Sequence, residues 1–185
     1  MVAMSITRLS EKGFSLTELM LTVAVAATLM GVAVPIMRDM SESSKLAAAS
    51  REVERELSGA RLKAVTSNRI LRVRMNCPST GFFRTVEYLN TAADTAGNRC
   101  VQTAYPFPPD DDILTRPNYD GPVRVLPLGA TVNDEILEFH PDGQAYRVVS
   151  NVRQNITTPV TVTVTRYGKS KAMTINGAGK IQLQY

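Results

Sequence analysis

Apolar residues dominate an early stretch of the chain without any charged side chain. Leu19 to Met37 contains no Asp, Glu, Lys or Arg. A helix rises about 1.5 Å per residue, so a run of this length can cross about 30 Å of hydrocarbon. The pattern predicts a membrane-spanning helical segment over residues 14–37. Glu18 lies at its beginning, and a carboxylate inside a membrane costs on the order of 3 kcal/mol, so such a residue usually marks function.

A proline lies near the end of this run. Pro35 lacks an amide donor and crowds the carbonyl four residues earlier, which belongs to Gly31. Because a helical pattern resumes after the proline, we expect a kink at this point rather than the end of the helix.

The next stretch, residues 38–68, is amphipathic. Its apolar residues recur at spacings of three and four, which places them on one face of a helix. Charged residues occupy the other faces, so the apolar stripe is expected to pack on a sheet. The helix is expected to end at Ser67-Asn68. The stripe consists of Leu46, Ala49, Val53, Leu57, Ala60 and Ala64.

From Arg69 the hydrophobic period changes to two, which is typical of β-strands. Leu71, Val73 and Met75 alternate with arginines, which predicts a half-buried strand. Residues 90–98 are expected to form a loop, 106–122 an irregular segment and 141–143 a tight turn. Further strands are predicted at 81–89, 121–128, 135–139, 145–149, 160–165, 173–175 and 181–183.

These patterns predict an α+β fold. Its long kinked N-terminal helix, membrane-spanning in the first half, packs on a mostly antiparallel β-sheet domain over residues 69–185. Arg8 and Lys12 precede the apolar run, which favours a cytoplasmic N-terminus and an exported domain. The net charge of +4 at pH 7 permits contact with nucleic acid or anionic lipid without requiring either.

The two cysteines, Cys77 and Cys100, lie on the expected exported side and enclose residues 78–99. In an oxidising compartment they can form a disulfide that contributes about 3 kcal/mol. No residues typical of a metal site lie near them in the sequence, so a disulfide is favoured over a zinc or redox site.

Other candidate chemistry is sparse. His140 is the only histidine and has no neighbouring set for a catalytic triad or zinc site; we expect it to flank a turn. The acidic residues Asp110, Asp111, Asp112 and Asp120 are either calcium ligands or a solvated loop, and the second interpretation is favoured. No glycine loop for phosphate is present. We therefore expect no enzymatic activity, no cofactor and no bound metal.

The stretch Gly13-Phe14-Ser15-Leu16-Thr17-Glu18-Leu19 resembles the N-terminus of type IV pilins and type II secretion pseudopilins. The resemblance implies that residues 1–13 are a leader, cut after Gly13 by the prepilin peptidase, with N-methylation of Phe14. Glu18 is then the assembly glutamate, whose carboxylate is stabilised by the amine of Phe14 on a neighbouring subunit. The alternative is an ordinary signal anchor in which Glu18 is incidental.

Two further stretches, residues 60–65 and 139–145, are similar to minor pseudopilins of the GspH/FimT type. Some FimT-like proteins bind DNA through a C-terminal Gly-Arg-x-Arg motif, and the matching residues here are Gly179-Lys180-Ile181-Gln182. This departure removes both arginines and puts DNA binding by that route in doubt. Lys169, Lys171 and Lys180 either form a phosphate-binding patch or are three solvated lysines, which is favoured.

The expected function is therefore that of a minor pilin or pseudopilin in a type IV pilus or a type II secretion pseudopilus. It is expected to cross the inner membrane once, with its N-terminus cytoplasmic and its domain periplasmic, before it enters the filament. Its expected partners are other pilin subunits, the prepilin peptidase and the membrane. The alternative is a DNA-binding uptake subunit, and a third possibility is a plain membrane-anchored binding domain.

Overall fold

The structure is a computed structural model that describes residues 13–107 and 119–184. It divides into two compact units, Met1–Ser41 and Glu42–Tyr185. Arg8, Lys12, most of the expected leader and the acidic run 110–112 lie outside the described residues.

One long helix, α1, runs from Leu16 to Ser67 and contains Pro35 without an interruption in its helical assignment. It begins slightly later than the expected Phe14 and ends where predicted. Asn68 follows with φ 55°, and the amide of Arg69 donates to the carbonyl of Ala64 at 3.2 Å. A left-handed asparagine just after the last turn is a common way to end a helix. The kink at Pro35 stays a prediction.

The rest of the second unit forms two antiparallel sheets. The six-stranded sheet has the order β3-β2-β1-β5-β6-β7, and the four-stranded sheet has the order β10-β9-β8-β4. The strands of the first are β1 (Leu71–Met75), β2 (Phe82–Glu87), β3 (Arg124–Val125), β5 (Ile136–Phe139), β6 (Ala145–Val149) and β7 (Val152–Asn155). Those of the second are β4 (Ala130–Val132), β8 (Val160–Arg166), β9 (Lys169–Ile175) and β10 (Ile181–Leu183). The α+β fold class is confirmed.

The predicted helix stripe is buried in full, and it belongs to one core cluster with side chains from both sheets. Val73 of β1 lies opposite Thr85 of β2 and Leu137 of β5, which fixes the centre of the larger sheet. A buried leucine such as Leu57 contributes about 1.5–3 kcal/mol relative to an exposed one. The second unit therefore has a closed core of its own.

Some expected elements differ from those in the structure. Strand β1 is not half-buried, because Arg72 is buried as well as its apolar neighbours. The expected strand 121–128 is reduced to Arg124–Val125. The expected loop 90–98 contains one short 3₁₀ helix, Ala92–Asp94, and the start of another, Gly97–Cys100.

Two strands were not expected from the sequence. Strand β7 is exposed at every position and therefore lacks the alternation of apolar and polar residues that predicts a strand. Strand β4 has three residues, which is too short for periodicity to be recognised. Both lie at the edge of their sheets.

Candidate functional site in the apolar half of the helix

The first half of α1 exposes apolar side chains all round. Every described residue from Gly13 to Ser41 is exposed. By length and composition this part of the helix is long and apolar enough to cross a membrane. A helix that is apolar on every side needs an apolar environment, either a protein core or lipid. Its large exposed side chains include Leu19, Met20, Leu21, Val23, Val25, Leu29, Met30, Val32, Val34, Ile36 and Met37.

The polar side chains within this apolar run hydrogen-bond to their own helix. The hydroxyl of Thr22 donates to the carbonyl of Leu19 and that of Thr28 donates to the carbonyl of Val25, both at 2.8 Å. An unsatisfied polar group in hydrocarbon costs several kcal/mol. These bonds remove that cost for both threonine hydroxyls.

The beginning of the helix holds the residues expected to be processed. Gly13 and Phe14 precede the helix and are exposed, and the amide of Leu19 donates to the carbonyl of Ser15 at 3.1 Å. Glu18 lies in the first turn. A carboxylate there interacts favourably with the positive end of the helix dipole. The local sequence therefore brings the expected cleavage position and Glu18 to the same end of one helix.

Gly31 and Pro35 lie within the exposed apolar half. Because proline has no amide hydrogen, the carbonyl of Gly31 loses its usual donor in the helix. A Cβ atom added to Gly31 would meet nothing within 4 Å, so this glycine is not required by contacts inside the described unit.

The disulfide predicted between Cys77 and Cys100 is confirmed, with the two Cα atoms 5.1 Å apart. Both cysteines are buried. The bond joins the end of β1 to the end of the second 3₁₀ helix, and it therefore fixes the segment 78–99 to the larger sheet.

Two buried arginines, which sequence reasoning missed, hold the region between β2 and β3. The guanidinium of Arg84 donates to the carbonyls of Gly121, Arg99 and Tyr105 at 2.7 to 2.8 Å. Arg99 donates to both carboxylate oxygens of Asp120, at 2.7 and 2.9 Å, and to the carbonyl of Glu87 at 2.6 Å. Both side chains are fully buried. The one sequence signal was the position of Arg84 next to two phenylalanines in a predicted strand.

Asp120 is therefore part of the domain interior. Its carboxylate accepts from Arg99 and from the backbone amide of Glu87, the latter at 2.7 Å. The favoured interpretation of Asp120 as a solvated loop residue is wrong, because its side chain is buried and both of its oxygens accept hydrogen bonds. The same donors occupy the oxygens that a calcium ion would need. Among residues 13–107 and 119–184, no group of three or more His, Cys, Asp or Glu side chains is placed to hold a metal ion.

A second buried ion cluster surrounds Glu138 on β5. Arg72 donates to one oxygen of this carboxylate at 2.6 Å and Arg153 donates to the other at 2.7 Å. Burial alone would raise the pKa of Glu138, but the hydrogen bonds from Arg72 and Arg153 outweigh it and leave the pKa below its usual value. His140, which flanks the turn as expected, has its pKa lowered by burial and by the charge of Arg153.

The C-terminal lysines do not form one cluster. Lys169 and Lys171 lie at the start of β9, whereas Lys180 follows the turn after the end of that strand. The span from Lys171 to Ile175 alone is about 13 Å at the usual rise of a strand. The structure therefore does not bring the three proposed DNA-binding residues together.

Gly179, which matches the glycine of the Gly-Arg-x-Arg motif, has a packing role. Gly179 is buried with φ +72°, and an added Cβ would clash with the carbonyl oxygen of Gly143. Beside it, Arg61 of α1 donates to the carbonyl of Gly143 at 3.0 Å and to that of Ala178 at 3.1 Å. This arginine joins the helix to the turn that follows β5 and to the turn that follows β9.

Solved structures of other proteins resemble this chain. One is the crystal structure of the type IV minor pilin FimU from Pseudomonas aeruginosa strain PAO1, with 17% identity and a TM-score of 0.48 over 79% of this chain and 92% of that chain. Another is the minor pseudopilin EpsH from the type 2 secretion system of Vibrio cholerae, with 13% identity and a TM-score of 0.46 over 76% of this chain and 96% of that chain. At this identity and superposition, these likenesses do not decide the function of the chain. No protein-family model matches it, and no curated protein does either.

Proposed function

We propose that the chain is a minor pilin or pseudopilin, a membrane-held subunit that assembles into a filament through the apolar half of its N-terminal helix. One observation carries the proposal. The helix from Leu16 exposes apolar side chains on every side and has Glu18 in its first turn, whereas the domain over residues 42–184 already has a closed core. An apolar surface that the domain does not use needs lipid or the helices of other subunits.

Processing at the start of this helix follows from the same proposal. Gly13 and Phe14 are exposed and precede the first helical turn, where a peptidase can reach the backbone. Cleavage after Gly13 would free the amine of Phe14, which N-methylation leaves positively charged. A cation from a neighbouring subunit would then lie at the depth of Glu18 and stabilise its carboxylate in lipid.

The experiment that tests the proposal compares Glu18→Ala and Glu18→Gln with the wild-type chain. Both variants are expected to be cleaved normally but to enter filaments several-fold less than wild type. Each removes the negative charge that would pair with the Phe14 amine of a neighbouring subunit. Incorporation is measured by immunoblotting of sheared filaments, and cleavage is measured by the mass of the mature protein. Glu54→Gln, on the same helix beyond the apolar run, serves as a charge-removing control and should enter filaments as wild type does. Wild-type incorporation of both Glu18 variants would contradict this role.

A role in DNA uptake, the alternative drawn from the C-terminal lysines, loses support from the geometry. Lys180 is separated from Lys169 and Lys171 by the length of β9, and Gly179 is engaged in packing against Arg61 and Gly143. The choice between a pilus and a secretion pseudopilus rests on which filament the mature chain enters in the experiment above.

A further inference from the structure

A small polar pocket lies on the second unit, between the segment that follows β2 and the turn that joins β6 to β7. We call it the Arg72 pocket, and its volume is about 250 Å³. Two of the residues that line it, Arg72 and Asp94, are buried charged side chains. The other polar residues around it are half-buried or exposed, namely Tyr88, Asn90, Thr91, Thr95 and Asn151.

Arg72 brings an incompletely bonded cation to this pocket. Its side chain is 4% exposed, and its Nε atom donates to the carboxylate of Glu138 at 2.6 Å. Its Nη1 atom donates to the carbonyl of Asp94 over a long distance of 3.5 Å. Within residues 13–107 and 119–184, no group accepts a hydrogen bond from its Nη2 atom. A buried guanidinium with an unused N–H favours a further acceptor, and a negatively charged acceptor most of all.

The surroundings of Arg72 leave room for another negative charge. Glu138 also accepts from Arg153 at 2.7 Å, so this carboxylate is shared by two cations. Burial lowers the pKa of the neighbouring Arg74, and the positive charges of Arg72 and Arg99 lower it further. These arginines therefore lie close enough to repel one another, and a bound anion reduces that repulsion.

Asp94 is the carboxylate among the lining residues, and its oxygens already have donors. One oxygen accepts from the amide of Leu89 at 2.8 Å, and the other accepts from the amide of Thr91 at 2.9 Å. The guanidinium of Arg99 lies 3.7 Å from the first oxygen and balances the charge. Asp94 therefore holds the wall of the pocket together instead of offering a free acceptor to a ligand.

The exposed residues around the pocket supply further donors. The hydroxyl of Tyr88 donates to Oδ1 of Asn90 at 2.8 Å, which leaves the amide nitrogen of Asn90 to donate elsewhere. In the part of the chain that the structure describes, the side chain of Asn151 makes no hydrogen bond. The hydroxyl of Thr91 is another donor. Because donors are offered and the one carboxylate is occupied, the pocket suits an anion better than a neutral sugar.

We propose that the Arg72 pocket binds a small oxyanion. One oxygen of the anion accepts from Nη2 of Arg72, and the others accept from the side chains of Asn90, Thr91 and Asn151. Carboxylate and phosphate share this chemistry, so the ligand is either a carboxyl group carried by a peptide or free phosphate. The site lies wholly within the second unit and goes beyond the proposed assembly function, so each of the two proposals can fail without the other.

The test is an NMR titration of the isotope-labelled full chain in a nonionic detergent at constant ionic strength. N-acetylglycine, which carries a carboxylate, and inorganic phosphate are added separately to about 50 mM, well above the Kd on the order of 1 mM expected for a few polar contacts. At least one of them should shift the amide resonances of Thr91, Thr95 and Asn151 saturably. N-acetylglycinamide, the neutral counterpart of N-acetylglycine, should leave these resonances unchanged.

The two anions distinguish the two sources of the ligand. Saturable binding of N-acetylglycine alone identifies a peptide carboxylate, and saturable binding of phosphate alone identifies free phosphate. The proposal is overturned if neither anion gives a saturable shift, or if N-acetylglycinamide binds as tightly as N-acetylglycine.

Asn151→Asp tests whether the anion binds in this pocket. The new carboxylate repels an anion, and aspartate tolerates the left-handed backbone of this position, φ 65°, about as well as asparagine does. The Kd for the anion should rise at least about fivefold. Asn155→Asp makes the same change at the exposed far end of β7, roughly 13 Å away along the strand, and should bind the anion as wild type does. An unchanged Kd for Asn151→Asp, or an equal rise for Asn155→Asp, would exclude this pocket as the site.

Thr91→Val tests a contact without changing any charge. It removes one hydroxyl from an exposed position and keeps the shape of the side chain, so the Kd should rise about two- to tenfold. A Kd equal to that of wild type would remove Thr91 from the proposed set of donors.

Discussion

At the level of single residues, buried arginines connect strands and loops of the larger sheet. Arg72, Arg84 and Arg99 are all buried, and each reaches carboxylates or backbone carbonyls that need donors. Removing one member of such a set leaves buried charges or acceptors without partners, which is strongly destabilising. The alternation of residues around Arg72 predicted a strand correctly but not the burial of the arginine. Its partner Glu138 lies 66 residues away, beyond the reach of a local pattern.

Stability is predicted to fall as the pH is lowered, in two steps. The pKa of His140 is lower in the folded chain than its ordinary value of 6.5, so below about pH 6.5 the unfolded chain binds a proton that the folded chain resists. The pKa of Glu138 is also lowered, so its contribution is present above the ordinary value of 4.5 and is lost as the pH falls through the folded pKa. Both steps therefore destabilise the fold in acid.

Urea unfolding of a fragment covering 42–185, at several pH values from about 7.5 to 2, measures both steps. His140→Gln should remove most of the first step and leave the second, since it keeps a polar side chain but cannot titrate. A free energy of unfolding that is constant between about pH 7 and 5 in the wild-type fragment would contradict the prediction for His140.

At the level of secondary-structure elements, a turn from each sheet contacts α1 through the same arginine. Arg61 bonds the carbonyl of Gly143, after β5, and that of Ala178, after β9. Gly179 allows this approach because it has no side chain and adopts φ +72°. The sequence resemblance associated Gly179 with DNA binding. In the described residues, Gly179 instead allows the two turns to pack against Arg61 of α1.

Gly179→Ala is predicted to lower the free energy of unfolding by about 2–3 kcal/mol, because the new Cβ would clash with Gly143 and the left-handed backbone would be strained. Gly59→Ala is the matched control. Gly59 lies on an exposed helical position with nothing within 4 Å of an added Cβ. The control should raise stability by up to about 1 kcal/mol through helix propensity. Chemical denaturation of both variants measures the difference, and equal stabilities would refute the packing role.

The sequence predicted those elements whose residues follow a clear period. The stripe of α1, the hairpin of β5 and β6, strands β8 and β10 and the second half of β9 were recognised in this way, whereas the first half of β9, from Lys169, was not expected. Strands β4 and β7 were missed because one is short and the other is exposed on both faces. The candidate site at the helix start was recognisable because Gly13, Phe14 and Glu18 are adjacent in sequence. The contacts of Arg166 with Glu42 and with the carbonyl of Leu128 were not, since they join positions far apart in the sequence.

At the scale of the whole molecule, the described residues of the second unit form a closed core, and those of the first unit expose a long apolar helix surface. The core belongs to the unit that starts at Glu42, and the exposed apolar helix belongs to the unit that ends at Ser41. Within the second unit, the disulfide joins β1 to a segment that contributes few residues to the main core. The order of that segment therefore depends on the disulfide and on Arg84 and Arg99.

Replacing both cysteines by serine is predicted to lower the free energy of unfolding of fragment 42–185 by about 3 kcal/mol, because the unfolded chain regains the freedom of a closed loop. Guanidinium denaturation measures the change. Since the substitution also places hydroxyls in buried positions, the wild-type fragment treated with a phosphine reductant is the control. The reduced wild type should unfold at a midpoint close to that of the variant. No change in midpoint on reduction would contradict the prediction.

The placement of the core stripe on α1 has a consequence for the order of events during synthesis. Leu46 and Val53 leave the ribosome long before Met173 and Ile175, yet all four belong to the same buried cluster. Domains generally fold as units during synthesis. A partial chain that stops before β9 lacks Met173 and Ile175, so the cluster around the stripe stays incomplete until synthesis is nearly finished. Until then the growing chain exposes apolar surface that the finished unit buries.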